Sequence, residues 1–208
     1  MDKKGLKHII FDFGGVLLPI NPQLTIDKFR QSGVTNIEAF YSEQAQHGLF
    51  DKLECGLLSP GEFYNELRKL GLDLSDKQIE EAWNELLLEF PAHKKEDLAL
   101  LREEYSLYLL SNTNEIHYMR YAANFQKKFK EPLRSLFKQA YFSFEVGMRK
   151  PNKDIYEYVL GNSGLKAEET LFVDDRAENL EAPKALGMHT FLWNPESKER
   201  LTTVVNGI

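Results

Sequence analysis

The sequence predicts an α/β fold: a parallel five-stranded sheet flanked by helices, with an all-helical segment inserted after the first strand. Two observations carry that prediction. Short apolar runs starting at His8, Tyr105, Tyr141, Thr170 and His189 are separated by helical stretches of roughly ten or more residues, the pattern of parallel strands joined by crossover helices. Between the first run and the second, residues 19–90 show helical periodicity only. At 208 residues the chain can bury a substantial core as one domain, or one domain with an insertion.

The first run, His8-Ile-Ile-Phe-Asp-Phe-Gly-Gly-Val-Leu-Leu-Pro19, is an apolar strand that ends in a carboxylate, Asp12, followed by two glycines. Ligands of open parallel sheets bind beyond the carboxyl ends of the strands, where Asp12 falls. Taken alone, the stretch fits a solvated turn aspartate equally well. Leu24, Ile26 and Phe29 then mark a helix ending near Gly33, and Ile37, Phe40 and Tyr41 begin another that Gly48 interrupts. Ser59-Pro-Gly-Glu62 and Ser75-Asp-Lys-Gln78 both have capping-box spacing, the first with proline at the first helical position. Their apolar faces are Phe63, Leu67 and Leu70, stopped by Gly71, and Ile79, Trp83, Leu86 and Leu87. Leu98 and Leu101 mark a crossover helix into the strand Tyr105–Leu110, which ends in Ser111-Asn112. A helix over Glu115–Lys130 leads to the third strand, Tyr141–Phe144. Ile155, Tyr156, Val159 and Leu160 mark a helix ending at Gly161; Thr170–Val173 is the fourth strand and runs into Asp174-Asp175. A helix over Ala177–Leu186, closed by Gly187, precedes the fifth strand, His189–Trp193.

Composition narrows the function classes. There are 26 basic and 32 acidic residues, a net charge of -6, with no basic block, so a nucleic-acid surface is not expected. Mild acidity does not forbid an anionic substrate, since a local lysine and a bound cation invert the field at one site. Cys55 is the only cysteine, which excludes an intrachain disulfide and a thiolate metal cluster. No apolar run approaches the ~20 residues that cross a bilayer, and the chain enters its first strand with no signal-peptide hydrophobic region, so a cytoplasmic location without membrane contact is expected. Whether the chain is a monomer or a homodimer is not legible in its sequence.

Phe-Asp-Phe-Gly-Gly-Val, Leu-Ser-Asn-Thr-Asn, Gly-Met-Arg-Lys-Pro and Val-Asp-Asp occur in that order along the chain. Together they resemble the four motifs of the haloacid dehalogenase-like hydrolases. Within that superfamily their wording is similar to a bacterial sugar-1-phosphate (α-D-glucose-1-phosphate) phosphatase subgroup and to the amino-terminal phosphatase domain of soluble epoxide hydrolases. The resemblance implies a Rossmann-like core over residues 1–18 and 91–208, with residues 19–90 as a helical cap that helps choose the substrate. It implies that Asp12 is a nucleophile forming an aspartyl-phosphate. Ser111, Asn112 and Lys150 would hold the phosphoryl group, and Lys150 would screen Asp12 from Asp175. Two carboxylates after a buried strand suit Mg²⁺, which prefers an all-oxygen site. A helix-capping role accounts for only one of them. By carry-over, Asp12, the Gly14 carbonyl and Asp175 are ligands, with Asp174 acting directly or through water. Asn179 would face the site and orient Asp175, and Arg149 is peripheral.

Gly14 departs from the usual phosphatase wording, which places there a second aspartate that protonates the leaving group. Such general acid-base work is typically worth 10²–10⁴-fold. Its loss is least costly for good leaving groups, so Gly14 favours a sugar 1-phosphate or an acyl phosphate. The alternatives are an acid on the cap, with Asp51, His47 and Glu54 as candidates, or a protein that binds phosphate and turns over little. A metal-independent haloacid dehalogenase is disfavoured, because Asp174-Asp175 would repel a carboxylate substrate. Bland readings hold elsewhere. Trp83 packs in the cap, with a ring facing a sugar as the alternative; His47, His117 and His189 lack zinc spacing; His93 lies in a polar connection; and Cys55 lacks an activating partner.

Overall fold

The computed structural model describes residues 5–38, 42 and 48–207. Strands β1 (His8–Phe11), β2 (Ser106–Ser111), β3 (Gln139–Phe142), β4 (Thr170–Asp174) and β5 (His189–Leu192) form one sheet in the order β3-β2-β1-β4-β5. Every pairing is parallel. β1 lies at the centre: Phe11 registers with Leu109 on one side and Val173 on the other. Parallel sheets are covered on both faces, and the side-chain period of two divides the apolar runs accordingly. Ile9, Phe11, Leu107, Leu109, Leu171 and Val173 point into one core. That core is completed by helices α5 (Ala92–Leu101), α6 (Glu115–Phe129) and α10 (Leu201–Gly207). Ile10, Tyr108, Leu110 and Phe172 point into the opposite core, against α8 (Lys153–Ser163) and α9 (Glu178–Ala185).

The inserted segment contains α1 (Pro22–Gln31), α2 (Leu49–Glu54), α3 (Pro60–Lys69) and α4 (Asp76–Asn84). Both expected capping boxes are complete: Ser59 with Glu62 opens α3, and Ser75 with Gln78 opens α4. Each such cap is worth about 1 kcal/mol. The helices bury Phe29, Leu53, Phe63, Leu67, Ile79 and Trp83 in a core of their own, which Ile116 of α6 joins from the sheet side. The outgoing and returning connections run side by side. Ile20 bridges to Leu87, Asn21 N–H donates to the Leu86 carbonyl at 2.8 Å, and Leu88 N–H donates to the Pro19 carbonyl at 3.2 Å.

Among the boundaries that differ from the sequence expectation, α4 ends at Asn84, short of Leu86 and Leu87, and two others have a visible local cause. The third strand ends at Phe142, because Ser143 opens a short helix, α7 (Ser143–Val146). The Ser143 hydroxyl accepts from Thr113 N–H and donates to the Thr113 carbonyl, both at 2.9 Å, and this fixes the turn. Helix α8 runs through Gly161 and stops at Gly164; one glycine inside a helix costs only about 1 kcal/mol. The expected helix through Phe40 and Tyr41 lies outside the described residues, as does His47. Among the described residues, no helix is long and apolar enough to cross a membrane.

Candidate active site

The sheet delivers three carboxylates to one point. Asp12 follows β1, and its N–H continues the ladder by donating to the Val173 carbonyl at 2.8 Å. Asp174 ends β4 and Asp175 follows it. Oxygens of the three lie within 4.8 Å of one another. Lys150 is buried among them, its Nζ donating to Asp12 Oδ1 and to Asp174 Oδ2, both at 2.6 Å. Its backbone is held by Asn112, which accepts from Lys150 N–H at 2.9 Å and donates to the Lys150 carbonyl at 2.8 Å. Burial pushes the Lys150 ammonium down, but Asp12 and Asp174 more than offset this and hold it charged. Burial also raises Asp12, against the pull of Lys150, and raises Asp175 together with the neighbouring Asp174.

Three carboxylates and one ammonium leave a net double negative charge in a buried pocket. A hard divalent cation with oxygen ligands neutralises it, so the residues present fit Mg²⁺. The backbone beside them is shaped to the same end. Gly15 has φ +79°, and a Cβ there would lie 2.2 Å from Asp175 Oδ2. Asp175 therefore folds over a residue that only glycine can occupy without displacing it.

One detail differs from the sequence expectation. Asn179 donates to Asp174 Oδ1 at 2.9 Å, as does Arg176 N–H, so the orienting contact goes to Asp174 and not to Asp175. Lys150 bridges Asp12 to Asp174, and its charge also pulls on Asp175. The choice of Asp174 follows from the end of β4: Asp174 is still in the strand and fully buried, whereas Asp175 has left the strand and is partly exposed. Ser111 is buried at the end of β2, and the contact of its hydroxyl is a long one, 3.5 Å to the Asn112 carbonyl.

A cavity of about 270 Å³ opens beside this centre, lined on the sheet side by Gly14, Ser111, Asn112 and Arg176, and on the cap side by Glu54 and Trp83. A larger cavity, about 440 Å³, lies behind Phe13 and Tyr121 and shares neither Gly14 nor Ser111 with the smaller one. Arg149, expected to be peripheral, ties the cap to the sheet side. Its guanidinium donates to Glu54 Oε2 from Nε at 3.0 Å, and it pairs with Glu54 at 2.8 Å and with Asp51 at 2.6 Å. Gly56 packs directly below, where a Cβ would lie 2.3 Å from the Phe144 carbonyl. Trp83 is in the cap core and also lines the cavity, stacked on His117 at 5.5 Å. His117 Nδ1 meets Asn84 Oδ1 at 3.1 Å, and burial lowers its pKa to about 3, so the ring is neutral. Sequence reasoning missed Arg149 and His117, because their partners lie on other elements and no local spacing announces them. Burial raises the Cys55 thiol, which agrees with an unactivated residue.

A buried carboxylate bridged to a lysine at the carboxyl end of a parallel sheet, under a helical cap, is the arrangement of a capped α/β hydrolase. The chain belongs to the haloacid dehalogenase-like hydrolases, whose family model matches residues 6–187. It is 34% identical over 208 aligned residues, 97% of this chain and 99% of the other, to a D-ribitol-5-phosphate phosphatase of Bacteroides thetaiotaomicron. It is 28% identical to a sesquiterpene phosphatase of Aspergillus oryzae, with 88% of this chain and 87% of that one covered. Among solved structures, a HAD-family enzyme of Bacteroides thetaiotaomicron, in complex with magnesium and inorganic phosphate, superposes with a TM-score of 0.87 at 35% identity, covering 96% of this chain and 99% of that one. A 2-haloacid dehalogenase of Pseudomonas syringae, 16% identical with a TM-score of 0.64, shares the fold alone and covers 93% of this chain and 89% of that one.

Proposed function

We propose that the chain is a Mg²⁺-dependent phosphomonoesterase acting on a small sugar or polyol phosphate through an aspartyl-phosphate on Asp12. The observation that carries this reading is the Lys150 bridge between Asp12 and Asp174, with Asp175 beside it. Asp12 attacks phosphorus in line, the bond to the leaving oxygen breaks, and water then hydrolyses the acyl phosphate. Lys150, Ser111 and Asn112 hold the phosphoryl group. Asp12, Asp175 and the Gly14 carbonyl would hold Mg²⁺, with Asp174 acting directly or through water; when bound, the ion neutralises charge on the phosphoryl oxygens. Asn179 supports Asp174. Residues 19–90 act as the cap and residues 1–18 with 91–208 as the core.

Two substrate classes are in view. The relative named for ribitol 5-phosphate supports a phosphate on a primary carbon of a polyol. Gly14 favours a sugar 1-phosphate, whose anomeric oxygen leaves more readily. The test is phosphate release from sugar 1-phosphates, sugar 6-phosphates, polyol 5-phosphates and acyl phosphates, each with Mg²⁺ and with EDTA, alongside Asp12→Asn. Metal-dependent release lost in Asp12→Asn supports the phosphatase. A preference for 1-phosphates supports the leaving-group account, and equal rates on the others remove it. Binding of phosphate with no release from any compound points instead to a phosphate-binding protein of low turnover.

A further inference from the structure

We propose that Glu54, on the cap wall of the cavity, is the general acid and base of the reaction. This rests on the phosphatase reading above. When Asp12 bonds to phosphorus and the bond to the leaving oxygen breaks, protonated Glu54 gives its proton to that oxygen and the alcohol departs. When water then attacks the phosphorus of the aspartyl-phosphate, the Glu54 carboxylate takes the water's proton, the Asp12–phosphorus bond breaks, and phosphate leaves. Both proton and carboxylate are restored in each turnover.

The assignment follows from the titratable groups around the cavity. An alkoxide leaving group needs a proton, and Gly14, next to the nucleophile's own turn, has no side chain to give one. Asp12 is the nucleophile, and Asp174 has both oxygens engaged by Lys150, Arg176 N–H and Asn179. Asp175 belongs to the cation site. Lys150 is locked between two carboxylates. His117 lines the cavity but is held neutral by burial, with a pKa of about 3, so it carries no proton to donate near neutrality. The Tyr121 phenol is raised by burial, too weak an acid for the task. Arg176 stays charged. Glu54 remains.

Its geometry suits the role. Glu54 lines the same cavity as Gly14, Ser111 and Arg176. Arg149 engages Oε2 alone, and among the described residues Oε1 has no hydrogen-bond partner. Asp51 on the same helix, Arg149 on the loop before Pro151 and Arg176 on the loop after β4 are the charged groups that face it. Burial raises the Glu54 pKa more than those two arginines lower it, which favours a carboxyl that carries a proton when needed.

The experiment compares wild type, Glu54→Gln and Asp51→Asn on ribitol 5-phosphate and on p-nitrophenyl phosphate, whose leaving group needs no proton. Thermal unfolding and calorimetric Mg²⁺ binding check each variant's fold. For Glu54→Gln we expect kcat/KM on ribitol 5-phosphate to fall about 10²–10⁴-fold. On p-nitrophenyl phosphate the variant is expected to release one nitrophenolate per site in a burst, then stall with the phosphoenzyme accumulating in acid-quenched samples. The alkaline limb of the wild-type kcat/KM profile on ribitol 5-phosphate should vanish in the variant, and Asp51→Asn should keep it. An equal loss of first-turnover rate on both substrates, or a change in KM alone, overturns the assignment. So does a steep dependence of wild-type rate on leaving-group pKa across alkyl and aryl phosphates, a measurement that needs no variant. Wild-type protein that releases no phosphate from any compound overturns the phosphatase reading itself; wild-type turnover without the Glu54 effects overturns this inference alone.

Discussion

The two walls of the cavity are built by different physics. The sheet wall is made of strand ends: Asp12, Ser111 and Asp174 are placed by ladder register, Lys150 joins Asp12 and Asp174 through buried bonds of 2.6 Å, and Asn112 holds the Lys150 backbone at 2.8 and 2.9 Å. The cap wall is made of helices stabilised by their own caps and core, and it meets the sheet side through Arg149, the packing of Gly56 and the His117–Asn84 contact. A wall with fixed charges suits a step that every phosphate ester shares. A wall on separately stabilised helices can change its lining without disturbing that step.

The sharpest way to break the comparison is to remove the lock on the sheet wall. Lys150→Met should abolish turnover and destabilise the fold by about 3–5 kcal/mol, since it leaves buried carboxylates unpaired; urea unfolding without Mg²⁺ reads the second effect. The two close-packed glycines separate the walls. Gly15→Ala should weaken Mg²⁺ binding about 10–100-fold by displacing Asp175, as loss of a positioning contact does. Gly56→Ala should leave Mg²⁺ binding at the wild-type value, raise KM and cost about 1–3 kcal/mol from steric strain. Calorimetry and steady-state kinetics on the same preparations distinguish them.

The boundary between the walls should respond to acid through His117. Its folded pKa of about 3 lies below the ordinary 6.5, so the unfolded chain binds a proton that the folded one refuses. Its contribution is therefore intact above pH 6.5 and lost as pH falls toward 3, on the order of 1 kcal/mol per unit. His117→Gln should flatten that part of the stability profile. The smallest effect is a control away from both walls. Lys94, buried against the Trp193 ring at 3.9 Å, has its pKa lowered by burial to about 8. Lys94→Met should raise stability at pH 7 by about 1 kcal/mol, and the gain should shrink between pH 8 and 10.5 as the unfolded chain also loses the proton.

How much of this was legible in the sequence depended on how locally each feature is encoded. Strands ending in carboxylates and the two capping boxes are written within a few residues, and they appear where expected. The third strand was displaced because Ser143 makes its bonds to Thr113, thirty positions away. Asn179 was expected to orient Asp175 and instead meets Asp174; the choice between adjacent aspartates is made by where β4 stops, which apolar pattern alone does not fix. Arg149 reads as one more surface cation until the fold carries it to Glu54, 95 positions earlier in the chain.

Arg149 and Lys150 are consecutive, yet one grips the cap and the other grips Asp12 at the end of β1. A single peptide unit thus joins the two walls. Any shift of the cap that drags Arg149 is felt at the backbone of Lys150, whose N–H and carbonyl are both held by Asn112. The contact to the cap and the contact to Asp12 are thus made by neighbouring side chains, one residue apart.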